Sequence, residues 1–248
     1  TRRPRADYAT TVRRVLGIGD GRDSGRMLST STMPLHGYPR LEQYLVESEP
    51  GVAVSATRFT PGPDAPQVLY LSESGCDAYC VDAMPGLLRE RHLAAIMPSV
   101  RGYGALKPWP SPWEHVSFCR SEWELTQGLL ECGQTLVGLQ VLDLQAVLDA
   151  LLPPQAKVIM VSYGRLAPTA LHLAALDRRV AALAITDGLA TLTDLAGAAR
   201  NQWGYAAALP GVLLHYDLPD LLASLAPLPL LISNPRAADF QLLDRDAA

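Results

Sequence analysis

Lys157-Val-Ile-Met-Val-Ser-Tyr-Gly-Arg-Leu-Ala-Pro-Thr-Ala-Leu-His-Leu-Ala-Ala-Leu-Asp177 reads as three pieces in succession. Lys157 to Val161 is a continuous apolar run, Ser162 to Arg165 is a turn, and Leu166 to Leu176 is an apolar helix. A short strand without polar alternation is the pattern of a strand buried on both faces. The same grammar recurs on either side. Upstream stand the run Val68 to Leu71, a helical Val81 to Arg91, the run Leu93 to Pro98, an irregular Gly102 to Glu114, and a helical Ser121 to Leu152 with Gly133 and Gly138 as breaks. Downstream stand the strand Val180 to Ile185, the helices Leu189 to Ala199 and Asp217 to Leu225, and the strand Pro229 to Ser233. Strands alternating with helices predict an α/β fold with a mainly parallel sheet and helices on both faces.

Ahead of this region, Leu41 to Glu47 and Val52 to Phe59 are alternating runs joined by Ser48-Glu49-Pro50-Gly51, which predicts an N-terminal antiparallel hairpin at one sheet edge. Asp7 to Leu16 predicts a helix that Gly17 to Gly25 ends, so residues 1–40 are expected to form a helix and an irregular lead-in. Residues 1–248 read as one domain. The chain opens at Thr1 rather than at a methionine, which points to processing or to a piece of a longer product, with other domains of a parent chain as possible partners.

Composition narrows the function. Lys+Arg 21 against Asp+Glu 25 gives a net charge of −4, the wrong sign for a sequence-independent grip on nucleic acid. Hydrophobic residues make up 48% of the chain, yet no apolar run reaches the ~18 residues of a membrane span, as expected of a soluble globular protein. The only lysines, Lys107 and Lys157, follow Leu106 and Ala156, so no phosphate-binding Gly-Lys-Ser/Thr loop exists. Gly17-Ile-Gly-Asp-Gly21 follows a helix rather than a strand and is no dinucleotide fingerprint. Cys76 and Cys80 lack two further ligands nearby, and Cys119 and Cys132 stand apart, so neither a metal nor another cofactor is expected.

The strand, turn and helix around Ser162 have the shape of a nucleophile elbow, in which a strained turn lifts a hydroxyl to the top of the sheet. With the segments Glu47-Ser-Glu-Pro-Gly51-Val, Val68-Leu-Tyr-Leu71, Pro98-Ser-Val-Arg-Gly-Tyr-Gly104, Gly133-Gln-Thr-Leu-Val-Gly138-Leu-Gln-Val-Leu-Asp143 and His215-Tyr-Asp-Leu-Pro-Asp-Leu221, it resembles the α/β-hydrolase superfamily, and within it the acetyl-xylan-esterase-like and dienelactone-hydrolase-like branch. Pro98 to Gly104 is similar to the family's Asp-x-Arg-Gly-x-Gly turn. The resemblance implies an esterase fold and a Ser, Asp/Glu, His triad in that chain order.

Laid over the family's Gly-x-Ser-x-Gly-Gly pattern without gaps, the turn puts Ser162 on the first glycine and Gly164 on the nucleophile. A frame shifted by two makes Ser162 the nucleophile, with Met160 where a small residue is wanted; otherwise Ser162 is a structural hydroxyl expected to satisfy the turn's backbone. No histidine follows Ser233, which leaves His215 as the candidate base, while Asp239 and Asp187 are the candidate acids and His172, mid-helix, reads as a packed residue. The loop Ser72-Glu73-Ser74-Gly75 replaces the family's His-Gly and brings Glu73 toward an expected oxyanion site. Candidate binding residues are Ser72, Tyr163, Gly164, Arg165, at a helix start that favours anions, and Asp187. Trp109, Trp113 and Trp203, with Tyr103 and Tyr163, are aromatic candidates for a sugar ring. These departures make a catalytically impaired pseudoenzyme, a binding or scaffold module for a carbohydrate or small ester, the first expectation. An active serine esterase on acetylated carbohydrate or small esters is the second.

Overall fold

The computed structural model describes residues 5–19, 25–35, 37–108, 121–205 and 207–243. Trp109 and Trp113, Cys119 and residues 109–114 of the Gly102 to Glu114 loop lie outside the described residues. One eight-stranded sheet organises the chain, in the order β1-β2-β3-β5-β4-β6-β7-β8. Its strands are β1 (Arg26–Leu35), β2 (Tyr38–Glu49), β3 (Val52–Phe59), β4 (Gln67–Leu71), β5 (Ala94–Pro98), β6 (Val158–Tyr163), β7 (Val180–Thr186) and β8 (Leu230–Ser233). The first three strands and the β3–β5 pair are antiparallel, and every pairing from β5 through β4, β6 and β7 to β8 is parallel. The buried runs of the sequence therefore become neighbouring parallel strands, as expected.

The helices are α1 (Arg5–Leu16), α2 (Ala78–Val81), α3 (Ala83–Glu90), α4 (Ser121–Glu131), α5 (Leu136–Leu151), α6 (Ala167–Leu176), α7 (Leu192–Gly197) and α8 (Leu218–Ser224). The larger core lies on the sheet face covered by α1, α5, α6 and α8, and the smaller one, around Phe59, Tyr70 and Met97, lies under α2 and α3. Among the described residues, no helix is long and apolar enough to cross a membrane.

Several boundaries differ from the sequence reading. Residues 26–35 are strand β1, not irregular lead-in; as an edge strand whose residues mostly face solvent, it has no apolar period to betray it. The helix expected over Ser121 to Leu152 breaks at Gly133, where φ is +71°, but runs through Gly138. There the missing side chain matters for packing: a Cβ on Gly138 would meet the Leu16 carbonyl at 2.2 Å, so glycine lets α5 close on the end of α1. Helix α7 is shorter than the predicted Leu189 to Ala199. Strand β8, read as buried on both faces, is exposed along most of its length because it is the outermost strand.

Three segments far apart in sequence meet at one buried ion pair. Asp143 of α5 is fully buried, and its carboxylate accepts from the Arg101 backbone N–H at 3.0 Å and from the guanidinium at 2.8 to 3.1 Å. The same guanidinium reaches Glu49, at the end of β2, at 2.5 Å. Burial raises the Asp143 carboxyl pKa against the pull of Arg101. The Asp143→Ala variant leaves Arg101 with the Glu49 carboxylate and the Leu139 carbonyl, and should cost about 3–5 kcal/mol in urea unfolding.

His172 of α6 is likewise fully buried. Its Nδ1–H donates to the Pro168 carbonyl at 2.6 Å, which leaves Nε2 to accept the Tyr216 hydroxyl at 3.0 Å. Both bonds suit the neutral ring, and burial lowers the pKa from 6.5 to about 4. The unfolded chain then binds the extra proton first. Stability should be whole above about pH 6.5 and fall by about 3 kcal/mol as pH drops toward 4, a slope that His172→Gln should lack when unfolding is followed at both pH values.

Candidate functional site

The elbow forms where β6 ends and α6 begins, with Gly164 opening a 3₁₀ turn over Gly164–Leu166. Gly164 has φ +64°, the left-handed conformation that a side chain resists. A Cβ built on it would meet only Glu73 Oε1, at 3.5 Å, so the space above the turn is open. The loop after β7 packs closely on the start of α6 at Gly188, whose added Cβ would meet Ala167 Cβ at 2.7 Å and Ile185 Cγ2 at 2.5 Å.

Ser162 is the last-but-one residue of β6, aligned between Leu71 of β4 and Ile185 of β7. It is fully buried, and its Oγ has no hydrogen-bond partner. The expectation that this hydroxyl would satisfy the turn's backbone is therefore wrong. Strand alternation explains it: Ser162 shares the core-facing side of β6 with the fully buried Met160. An unmade bond of this kind costs roughly 1–3 kcal/mol.

No hydrogen bond joins any two of Ser162, His215 and Asp239. His215 Nε2 lies 3.4 Å from Arg14 of α1, and Asp239 Oδ1 accepts the Gln241 N–H two residues on at 3.1 Å. Asp187, at φ +55°, is clamped by a forked contact with Arg236 whose Nε lies at 2.6 Å. Arg165 donates to the Gln202 carbonyl at 3.1 Å and lies over the Phe240 ring, which stacks on Trp203. Trp203 is buried and donates from Nε1 to Ala237, so it packs a loop. Tyr103 is buried near Glu122 and Glu73, and burial with these charges keeps its phenol protonated.

Beside the elbow, a cleft of about 450 Å³ is lined by Tyr70, Ser72, Glu73, Ser74, Asp82 and Tyr163, among others. Tyr163 presents half of its surface to solvent. Asp82 was not anticipated from the sequence. It occupies the position before α3 where an aspartate ordinarily caps, yet makes no cap; its carboxylate instead accepts from the Tyr70 hydroxyl at 3.0 Å and from Ser74 Oγ at 2.8 Å. Burial and the Asp82 charge hold the Tyr70 phenol above its usual range, so it remains a donor. The sequence reading placed Asp82 inside a helix over Val81 to Arg91, and nothing local marked its carboxylate for Tyr70. Among the described residues lining a separate cleft of about 360 Å³, near Leu192, Leu209 and Val212, Asn201 is the one polar side chain.

No protein-family model matches the chain, and no curated protein does. Solved structures do. A Bacteroides fragilis protein assigned as an acetyl xylan esterase superposes with TM-score 0.75 at 14% identity, over 98% of this chain and 69% of its own. Acetyl xylan esterase 1 from a Thermoanaerobacterium species gives TM-score 0.53 at 13% identity, over 94% and 79%. A methylesterase gives 0.58 at 17% identity over 92% of this chain, which spans only 50% of that protein. At such identities the likeness concerns the fold, which is that of the α/β hydrolases and resembles acetyl xylan esterases.

The Gly164→Ser substitution tests the elbow. Its Cβ fits, so the variant should fold, but the left-handed φ should lower stability by about 1–3 kcal/mol in thermal melting. Among the described residues the group that faces the new side chain is the Glu73 carboxylate, whose charge opposes an oxyanion there, so assay of an activated ester should show no gain over the parent.

Proposed function

We propose that this chain keeps the fold of an acetyl-xylan-esterase-like hydrolase without its ester hydrolysis, and acts as a binding module for a carbohydrate or a small ester. One observation carries the reading: the left-handed tip of the elbow, where a nucleophile's side chain belongs, is Gly164 with open space above it. Loss of a triad nucleophile costs on the order of 10⁶ in rate, which leaves no competent turnover. Glu73 beside this space adds a negative charge where an oxyanion would have to form.

The cleft supports the ligand class. The exposed Tyr163 ring offers a platform for the apolar face of a sugar, and Ser72, Glu73 and Ser74 offer hydroxyl and carboxylate partners for its rim. Being anionic, the cleft favours neutral polyols over acidic ones.

Hydrolysis of 4-nitrophenyl acetate by the parent should not exceed that by Ser162→Ala. Titration with acetylated and unacetylated xylo-oligosaccharides, followed by calorimetry, should show binding that Tyr163→Ala weakens at least tenfold, about 1.4 kcal/mol. A parent rate far above Ser162→Ala would establish the esterase reading instead, and an absence of binding to either sugar would remove the carbohydrate.

A further inference from the structure

The cleft beside the elbow holds a carboxylate that the fold does not use. Other aspartates serve the fold: Asp143 pairs with Arg101, Asp177 with Arg179 and Asp187 with Arg236, and Asp217 caps α8. Asp82 does neither. It precedes α3 with φ −99° and ψ 147°, the extended backbone of a capping residue, yet its side chain caps nothing. Its partners are two neutral hydroxyls, Tyr70 donating to Oδ2 at 3.0 Å and Ser74 to Oδ1 at 2.8 Å, and among the described residues no cation pairs with it.

The hydrogens beside it are already committed. Tyr70 and Ser74 have one hydroxyl hydrogen each, and both point at Asp82. Ser72, buried next to them, accepts the Ser74 N–H at 3.2 Å. A carboxylate only accepts, with two lone pairs on each oxygen, so each Asp82 oxygen takes one bond from the protein and keeps a lone pair. Asp82 is partly exposed and lines the cleft. On this wall a ligand therefore meets two acceptors side by side, held in place before it arrives, which lowers the cost of ordering them on binding.

We propose that Asp82 is the specificity-determining residue of the cleft, accepting from two adjacent free hydroxyls of a sugar ring and rejecting the same ring when those hydroxyls are acetylated. This rests on the reading of the cleft as a carbohydrate site and narrows it to the unacetylated form. Adjacent ring hydroxyls bring two hydrogens that match the two carboxylate oxygens. Acetylation removes both hydrogens and sets carbonyl lone pairs against Asp82, with the Glu73 carboxylate lining the same cleft. A ring without its hydroxyl hydrogens leaves the carboxylate facing acceptors, the mismatch by which hydrogen-bonding sites discriminate most sharply.

Calorimetric titration with xylo-oligosaccharides, and with the same oligomers acetylated on both ring hydroxyls, tests this. The parent should bind the free form at least tenfold more tightly. Asp82→Asn, whose amide offers donors where the carboxylate only accepts, should bring the two forms within about threefold of each other by weakening the free one. Tyr163→Ala should weaken both alike and keep their ratio, because a ring platform meets the carbons of the sugar rather than its hydroxyl hydrogens. A merely structural Asp82 would not move that ratio. Circular dichroism confirms folding, and Asp82→Ser, which gives α3 an ordinary cap, takes the place of Asp82→Asn should the latter fail to fold. Equal affinity of the parent for both forms, a preference for the acetylated one, or a preference that survives the Asp82 substitution would overturn the proposal; if Tyr163→Ala still weakens that binding, the carbohydrate reading stands without it. Binding of neither form would remove that reading and this proposal together.

Discussion

The contact between Arg101 and Asp143 ties the antiparallel and parallel parts of this molecule together. Asp143 sits in α5, Arg101 in the turn after β5, and Glu49, the second carboxylate on the same guanidinium, at the end of β2. A buried charge pair contributes little net stability by itself, but removing one member strands the other, so the arrangement specifies which segments meet. The constraint extends toward the elbow. Gln140, one turn before Asp143, donates to the Arg101 carbonyl at 2.9 Å and accepts from Thr169 of α6 at 2.6 Å. The helix that begins at the elbow is thus held by the same polar chain that closes the Arg-Gly turn.

On the proposed reading, that rigidity is how the elbow persists with glycine at its tip. Gly164 adopts the left-handed turn without side-chain strain, Gly188 lets the β7 turn close on Ala167, and Asp187 with Arg236 fixes the segment after β8 beside it. None of these depends on a hydroxyl at the tip. The hydroxyl that is present, on Ser162, belongs to the core-facing side of β6 and bonds to nothing. The turn keeps its shape with glycine at its tip, His215 lies beside Arg14, and Asp239 accepts within a local turn.

Local pattern made most of the fold legible. Continuous apolar runs marked β4 to β7 as central strands, alternation marked β2 and β3, and Gly164 was visible as the glycine of the turn after β6. What escaped depends on the neighbours of an element rather than on its own residues. Strand β1 has no buried face to impose a period, and β8 has the composition of a central strand but the position of an edge. The orphaned Ser162 hydroxyl follows from which way alternation turns one side chain. Asp82 carries no local mark of a site residue, and only the folded chain brings Tyr70 and Ser74 to its carboxylate. Residues whose partners are distant in sequence, Glu49, Arg101 and Asp143 among them, appeared as motif fragments without a visible reason to be together.

The central claim is that the elbow holds no activated serine. Incubation with a fluorophosphonate, which phosphonylates serine hydroxyls that a neighbouring base has activated, followed by intact-mass and peptide analysis, addresses it directly. The account predicts an unmodified mass and no adduct on Ser162 at reagent concentrations that label a competent serine esterase to completion. A stoichiometric adduct on Ser162 would contradict it.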